Sequence, residues 1–128
     1  MTATPAETDA ARIRELMLIN LFAVFNERDA ERRSKAIADN YTEDVIWTDP
    51  EGTTRGHEAM NERAQNLLDG MPDFVFTAAG QIHVSRDLGH MAFNLGVPEQ
   101  PPAVNGYDVA LVRDGRIAVL HTLLNAGT

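Results

Sequence analysis

Between Ile13 and Phe25 the apolar residues surround a helical projection instead of forming one stripe. That pattern predicts a helix buried on most sides, as when a sheet wraps around it. Its start is marked by Thr4-Pro5-Ala6-Glu7, a capping box with Pro at the first helical position. Asp29 is placed to cap a second, more polar helix ending near Asn40. Asp44 to Asp49 reads as a short strand that Pro50 and Gly52 stop, and a third helix follows Gly56. Met60, Ala64, Leu67 and Leu68 fall on one face of that helix, and Gly70 predicts a left-handed stop.

Past Pro72 the pattern turns to strands, predicted at Phe74–Val84, His90–Val97, Ala103–Arg113 and Arg116–Asn125. Asp114-Gly115 is a strong two-residue hairpin signal and Arg86-Asp87 a weaker one. Some of these strands are apolar in both parities: Ile117, Val119 and Leu123 alternate with Ala118, Leu120 and Leu124. Both faces are therefore expected to be covered, one by helices around a pocket and the other by a second subunit, giving a homodimer.

The bulk properties narrow the partners. A chain of 128 residues suits one domain, 1–128, and acids outnumber bases 19 to 11 for a net charge of −8. Phosphate backbones and anionic lipid surfaces attract basic patches, so neither nucleic acid nor membrane is expected as a partner. With no cysteine, disulfides, thiol catalysis and thiolate metal sites are excluded. Residues 1–15 mix charges without an apolar leader, and Leu16–Phe25 is too short to span a bilayer, which points to the cytoplasm.

The segment Tyr41-Thr42-Glu43-Asp44-Val45-Ile46-Trp47-Thr48-Asp49-Pro50-Glu51-Gly52 resembles the stretch that carries the catalytic aspartate in ketosteroid isomerases. Tyr107 to Ile117 is similar to the hairpin that carries their second aspartate, and Gly89 to Leu95 fits a pocket-lining strand. With the element order, the resemblance is to the SnoaL-like, ketosteroid isomerase-like branch of the NTF2-like superfamily, over nearly the whole chain. It implies an α+β cone, with three N-terminal helices packed on a curved, mainly antiparallel sheet enclosing a pocket. It also implies a general base at Asp49 and an oxyanion-binding acid at Asp108, with Tyr41 in a supporting position. The tyrosine that completes the family's oxyanion hole does not carry over: its place is near Leu21.

The residues carry a reading of their own. Asp49 shares a strand face with Trp47, and desolvation beside an indole raises a carboxyl pKa; the alternative is a turn in which the Asp49 side chain accepts backbone amides. Asp108 is an acid in an apolar strand, suited to a pocket or else to solvent exposure or a salt bridge. Asn20 interrupts an apolar helix, either as a substitute donor or as a satisfied core amide. His83 and His90 face one another across a predicted hairpin but turn away from the pocket, and His57-Glu58 lacks the second histidine of a zinc-protease motif. No metal or cofactor is expected.

The expectation is a cofactor-independent acid/base enzyme, of isomerase, cyclase or dehydratase type, acting on a mostly apolar carbonyl compound. Trp47, Leu21, Phe25, Met60, Met91, Phe93 and Leu124 would wall the pocket, with Tyr41 and Asn20 supplying polar contacts. The alternatives are a non-catalytic small-molecule-binding protein and a dimerising interaction module of the same fold.

Overall fold

The computed structural model describes residues 5–125, with side chains from Asp9 onward; the expected Thr4 cap lies outside them. Helix α1 (Pro5–Ile19) continues into a π-helical stretch, Asn20–Phe25, closed by the Asn26 amide donating to the Leu21 carbonyl five residues back. The wider turn re-phases the helix, so Asn20, Leu21, Val24 and Phe25 all face inward. The helix is not buried on most sides, however. Leu18 is 42% exposed and Phe22 47%, because helices and sheet meet on one side of α1 only.

Helix α2 (Ala30–Asn40) starts where expected: the Asp29 carboxylate accepts from the Arg32 amide. Helix α3 (His57–Asp69) buries Met60, Ala64 and Leu68. Gly70 is right-handed, at φ −78°, contrary to the left-handed stop expected from sequence. The end of the helix is satisfied differently: the Arg28 guanidinium donates to the carbonyls of Leu68, Met71 and Phe74, placing a cation at the negative end of the helix dipole. Arg33, fully buried, ties α2 to α3 by donating to the Glu27 carbonyl and to the side-chain oxygens of Asn61 and Gln65. Burial lowers the Arg33 pKa, so these bonds offset the cost of desolvating its charge.

Seven strands form one curved, open, mixed sheet. They are β1 (Tyr41–Asp49), β2 (Gly52–Arg55), β3 (Val75–Ala78), β4 (His83–Ser85), β5 (Leu88–Gly96), β6 (Val104–Arg113) and β7 (Arg116–Leu124). The order is β2-β1-β7-β6-β5-β3, with β4 also paired to β5, and only β1 with β7 is parallel. Strand β2 is not among the expected elements, since Gly-Thr-Thr-Arg has no apolar signal. The expected strand Phe74–Val84 is broken into β3 and β4 by a segment in which Gly80 takes φ +144°. The Asp114-Gly115 turn is as expected, both residues having positive φ.

Two irregularities position the site. Between Tyr41 and Ile46 the pairing with β7 shifts, because five steps along β1 match two along β7. The extra residues bow outward and leave Tyr41, Val45 and Trp47 all buried. On β5, α1 lies so close to Gly89 that a Cβ there would sit 2.7 Å from Ile13 Cγ2 and 2.8 Å from Met17 Sδ. That contact sets the α1 axis against the sheet and brings Asn20 over β6.

Candidate active site

Asp108 lies at mid-strand on β6, directly opposite Met91 of β5 and Thr122 of β7. Its side chain points under the helices and is 3% exposed. Two hydrogen-bond chains end on it. From one side Tyr41 Oη donates to Asn20 Oδ1, and Asn20 Nδ2 donates to Asp108 Oδ2 at 2.9 Å. From the other, Trp47 Nε1 donates to Thr122 Oγ1 at 3.1 Å, and that hydroxyl donates to Asp108 Oδ1 at 2.9 Å. The directions are fixed by chemistry. An indole N–H can only donate, so Thr122 must spend its one proton on the carboxyl, and burial holds the Tyr41 phenol well above its ordinary range, as a donor.

These donors favour the carboxylate, while burial disfavours it more strongly. The balance places Asp108 at about 7, raised by desolvation against the lowering effect of Thr122 and Asn20. With one lone pair on each oxygen committed to the network, a proton must enter on the remaining ones. Asp108 is also one of the residues that line a cavity beneath the helices.

That cavity has a volume of about 140 Å³, the size that admits a benzene-sized molecule. Phe25, Trp47, Phe76, Phe93, Leu67 and Leu124 form much of its apolar wall, and Asp49, Asp108 and Thr122 supply polar atoms. Phe25 stands edge-on to Trp47 and to Phe76, with centroids 5.0 and 6.0 Å apart, so the wall is a packed aromatic cluster. A wider open groove beside the start of α1 is lined by charged residues of both signs, including Arg12, Arg86 and Asp114, and by neither Asp49 nor Asp108.

Asp49 sits at the end of β1 on the same cavity, but its environment is different. Its Oδ1 accepts from the amides of Glu51 at 2.9 Å and Gly52 at 3.2 Å, and it is ion-paired with Arg63 of α3. The turn reading of Asp-Pro-Glu-Gly therefore holds, and the isolated carboxylate beside an indole does not. Arg63 also lies over the Trp47 ring, 5.2 Å from its centroid. Among the described residues Oδ2 of Asp49 makes no hydrogen bond, so one oxygen of the carboxyl group remains available.

The expected site residues divide into three groups. Asp49, Asp108, Trp47, Phe25, Phe93 and Leu124 share the cavity. Asn20 and Tyr41 stand behind Asp108 as its hydrogen-bond support. Leu21, Met60 and Met91 do not line the cavity; they are fully buried core residues, pointed to the same side but packed beneath it. Sequence reasoning missed Arg63 and Thr122 as partners of the two acids. Thr122 could have been found from the hairpin register, which places it opposite Asp108, whereas Arg63 carries no such signal. Among the described residues no group of three His, Asp or Glu side chains is arranged to hold a metal ion, and no helix is long and apolar enough to cross a membrane.

Three helices packed on a curved mixed sheet, with an acid-bearing apolar pocket between them, define an α+β protein of the NTF2-like class. The chain belongs to the SnoaL-like family, whose domain model matches residues 18–120. A proposed isomerase of that family from Agrobacterium tumefaciens superposes with a TM-score of 0.84 at 21% identity, covering 91% of this chain and 99% of that one. A proposed SnoaL-like polyketide cyclase from Jannaschia is similar, with a TM-score of 0.74, 14% identity, and 98% and 91% coverage. A proposed ketosteroid isomerase from Kribbella flavida has a TM-score of 0.72 at 16% identity, over 92% of this chain and 81% of that one. Likeness at these identities shows the fold. No protein of curated function matches the sequence.

Proposed function

We propose that the chain is a cofactor-independent acid/base enzyme that moves a proton next to the carbonyl of a small, mostly apolar compound. The observation that carries this reading is the pairing of two unlike carboxyls on one small apolar cavity. Asp108, buried and held near 7, keeps a substantial protonated fraction at neutral pH. Asp49 is ion-paired with Arg63 and accepts from two backbone amides. Environments that separate two acids in this way are the means by which one site runs both halves of a proton transfer.

In this scheme Asp49 Oδ2 removes the proton from the carbon next to the carbonyl, protonated Asp108 hydrogen-bonds to the substrate oxygen and stabilises the enolate that forms, and Asp49 returns the proton at the far carbon of the conjugated system. Asp108 is given the donor role because burial outweighs the donors Thr122 and Asn20 and holds it near 7. Trp47, Phe25 and Phe93 orient the substrate and exclude water. At about 140 Å³ the cavity suits a single six-membered ring rather than a fused-ring steroid.

The test uses 3-cyclohexen-1-one, whose conversion to the conjugated isomer is followed by ultraviolet absorbance. Activity is expected to fall as pH rises through about 7, and Asp49→Asn is expected to reduce kcat by about a thousandfold or more while the fold persists. A rate that climbs through that pH would exchange the roles of the two acids. Isomerisation or solvent-deuterium exchange undiminished in Asp49→Asn would remove Asp49 from the chemistry. A chain that binds the ketone without exchanging its protons would be the non-catalytic binding protein of the same fold.

A further inference from the structure

The fold treats the two oxygens of Asp49 unequally. Oδ1 accepts from the Glu51 amide at 2.9 Å, from the Gly52 amide at 3.2 Å and from the Arg63 guanidinium, while among the described residues Oδ2 accepts from none. The two amides belong to the turn between β1 and β2, which grips the carboxyl from its own stretch of chain. The terminal torsion of an aspartate is broad, so such a turn by itself leaves the plane of the carboxyl free to rock. The third donor comes from a different element, α3. Donors that converge on one atom from two elements fix the other atom as well, and Oδ2 is the oxygen left for the cavity that Asp49 lines.

Arg63 is itself held. Its guanidinium lies over the Trp47 ring, 5.2 Å from the centroid, and its side chain is 20% exposed. Trp47 is buried and tied by Nε1 to Thr122, so the surface on which the guanidinium rests is fixed in turn. Gly52, at φ +151°, presents no side chain to it; a Cβ there would already touch Arg63 Nη1 at 3.8 Å. A planar guanidinium donates at its edge while its face stacks on a ring, a combination that a lysine ammonium does not supply. Arg63 is not part of the cavity wall, although Asp49, Trp47 and Leu67, one helical turn further along α3, all belong to it. It therefore reaches the site through Asp49.

We propose that Arg63 is a positioning residue for Asp49: it keeps Oδ1 on the turn between β1 and β2 and Oδ2 toward the cavity, without touching the compound bound there. Its kinetic consequence rests on the proton-transfer reading given above, whereas the geometry does not. One free oxygen that takes a proton from one carbon and returns it to another must stay within reach of both, and a misplacement of about 1 Å costs on the order of a hundredfold in rate. The same frame extends to the second acid. Asp49, Arg63, Trp47, Thr122 and Asp108 form a continuous series of contacts, so the spacing of the two carboxyls is set across a single indole ring.

The test compares Arg63→Met, which keeps an apolar stem and removes the donors, with Arg63→Lys, which keeps the charge; circular dichroism reports that each is folded. With 3-cyclohexen-1-one, Arg63→Met is expected to lower kcat about a hundredfold and to leave KM within about twofold. In the Asp49→Asn background the same substitution is expected to change kcat by less than about twofold, because a residue that acts through Asp49 then has nothing to position. Equal losses in the two backgrounds would overturn the proposal. A raised KM at unchanged kcat would do the same by placing Arg63 against the substrate, and full activity in Arg63→Lys would reduce its role to charge alone. Crystal structures of the parent and of Arg63→Met decide the geometry whether or not the ketone is converted: the carboxyl of Asp49 is expected to rotate in the variant, and an unmoved carboxyl refutes the positioning role. A parent without turnover counts against the proton-transfer reading and leaves that structural comparison to decide this one.

Discussion

Asp108→Asn should make the protein more stable in alkali while it disables the site. The pKa of Asp108 rises from 3.8 in the unfolded chain to about 7 in the fold, so between those values the native state holds the extra proton. Stability must then fall as pH increases across this window, and it levels off above about 7. At 1.36 kcal/mol for each pH unit, burial of this one group removes about 4 kcal/mol by pH 8, a large share of the 5–15 kcal/mol typical of a domain. The amide of the variant has no such dependence. Its oxygen can accept from Asn20 Nδ2 and its nitrogen can donate to Thr122 Oγ1, which leaves the Thr122 proton without its partner at a cost of about 1 kcal/mol. Near pH 4 the variant should be weaker than the parent by about that amount, and near pH 8 stronger by about 3 kcal/mol. Urea unfolding followed by circular dichroism at intervals from pH 4 to 8 measures the difference, and contributions from the other carboxyls cancel. A difference that stays constant with pH would refute the reasoning, because it would mean that Asp108 is not held near neutrality by the fold.

Other perturbations test the supports of the site. Thr122→Val removes a donor from Asp108 and the acceptor of Trp47 Nε1; the falling limb of the pH–rate profile should move to higher pH, and thermal unfolding should show a loss of about 1–3 kcal/mol. Arg28→Ala uncovers three carbonyls at and beyond the end of α3 and should cost about 1 kcal/mol by urea titration, the guanidinium being exposed. Gly106→Ala places a Cβ 2.1 Å from the Leu123 carbonyl oxygen, a backbone clash that should cost about 3 kcal/mol or more and show as loss of soluble, folded protein.

The legible parts of the fold were those with local chemistry behind them. Asp29 as a cap, Asp114-Gly115 as a tight turn and the apolar spacing of α3 each act over a few residues, and each is found where expected. What escaped depends on long-range geometry. Strand β2 is held by its register with β1, not by apolar residues of its own. The end of α3 is satisfied by an arginine some forty residues earlier in the chain, which removes the need for a left-handed glycine. For the site, an acid within an apolar strand was a sound signal for Asp108, and Tyr41 and Asn20 were recognised without the bond that joins them. Asp49 was found but placed in the wrong electrostatic setting, because the deciding residue, Arg63, comes from another element. Local pattern locates a carboxyl on the right face, but its ionisation depends on groups that tertiary structure brings to it.

Trp47 is the only tryptophan of the chain, and its ring nitrogen is one hydroxyl away from the Asp108 carboxyl. The molecule thus contains its own optical probe, with an emission band that should follow both occupancy of the cavity and the titration of the acid beneath it. Candidate compounds can be screened against unlabelled protein by light alone, before any of them is known to react.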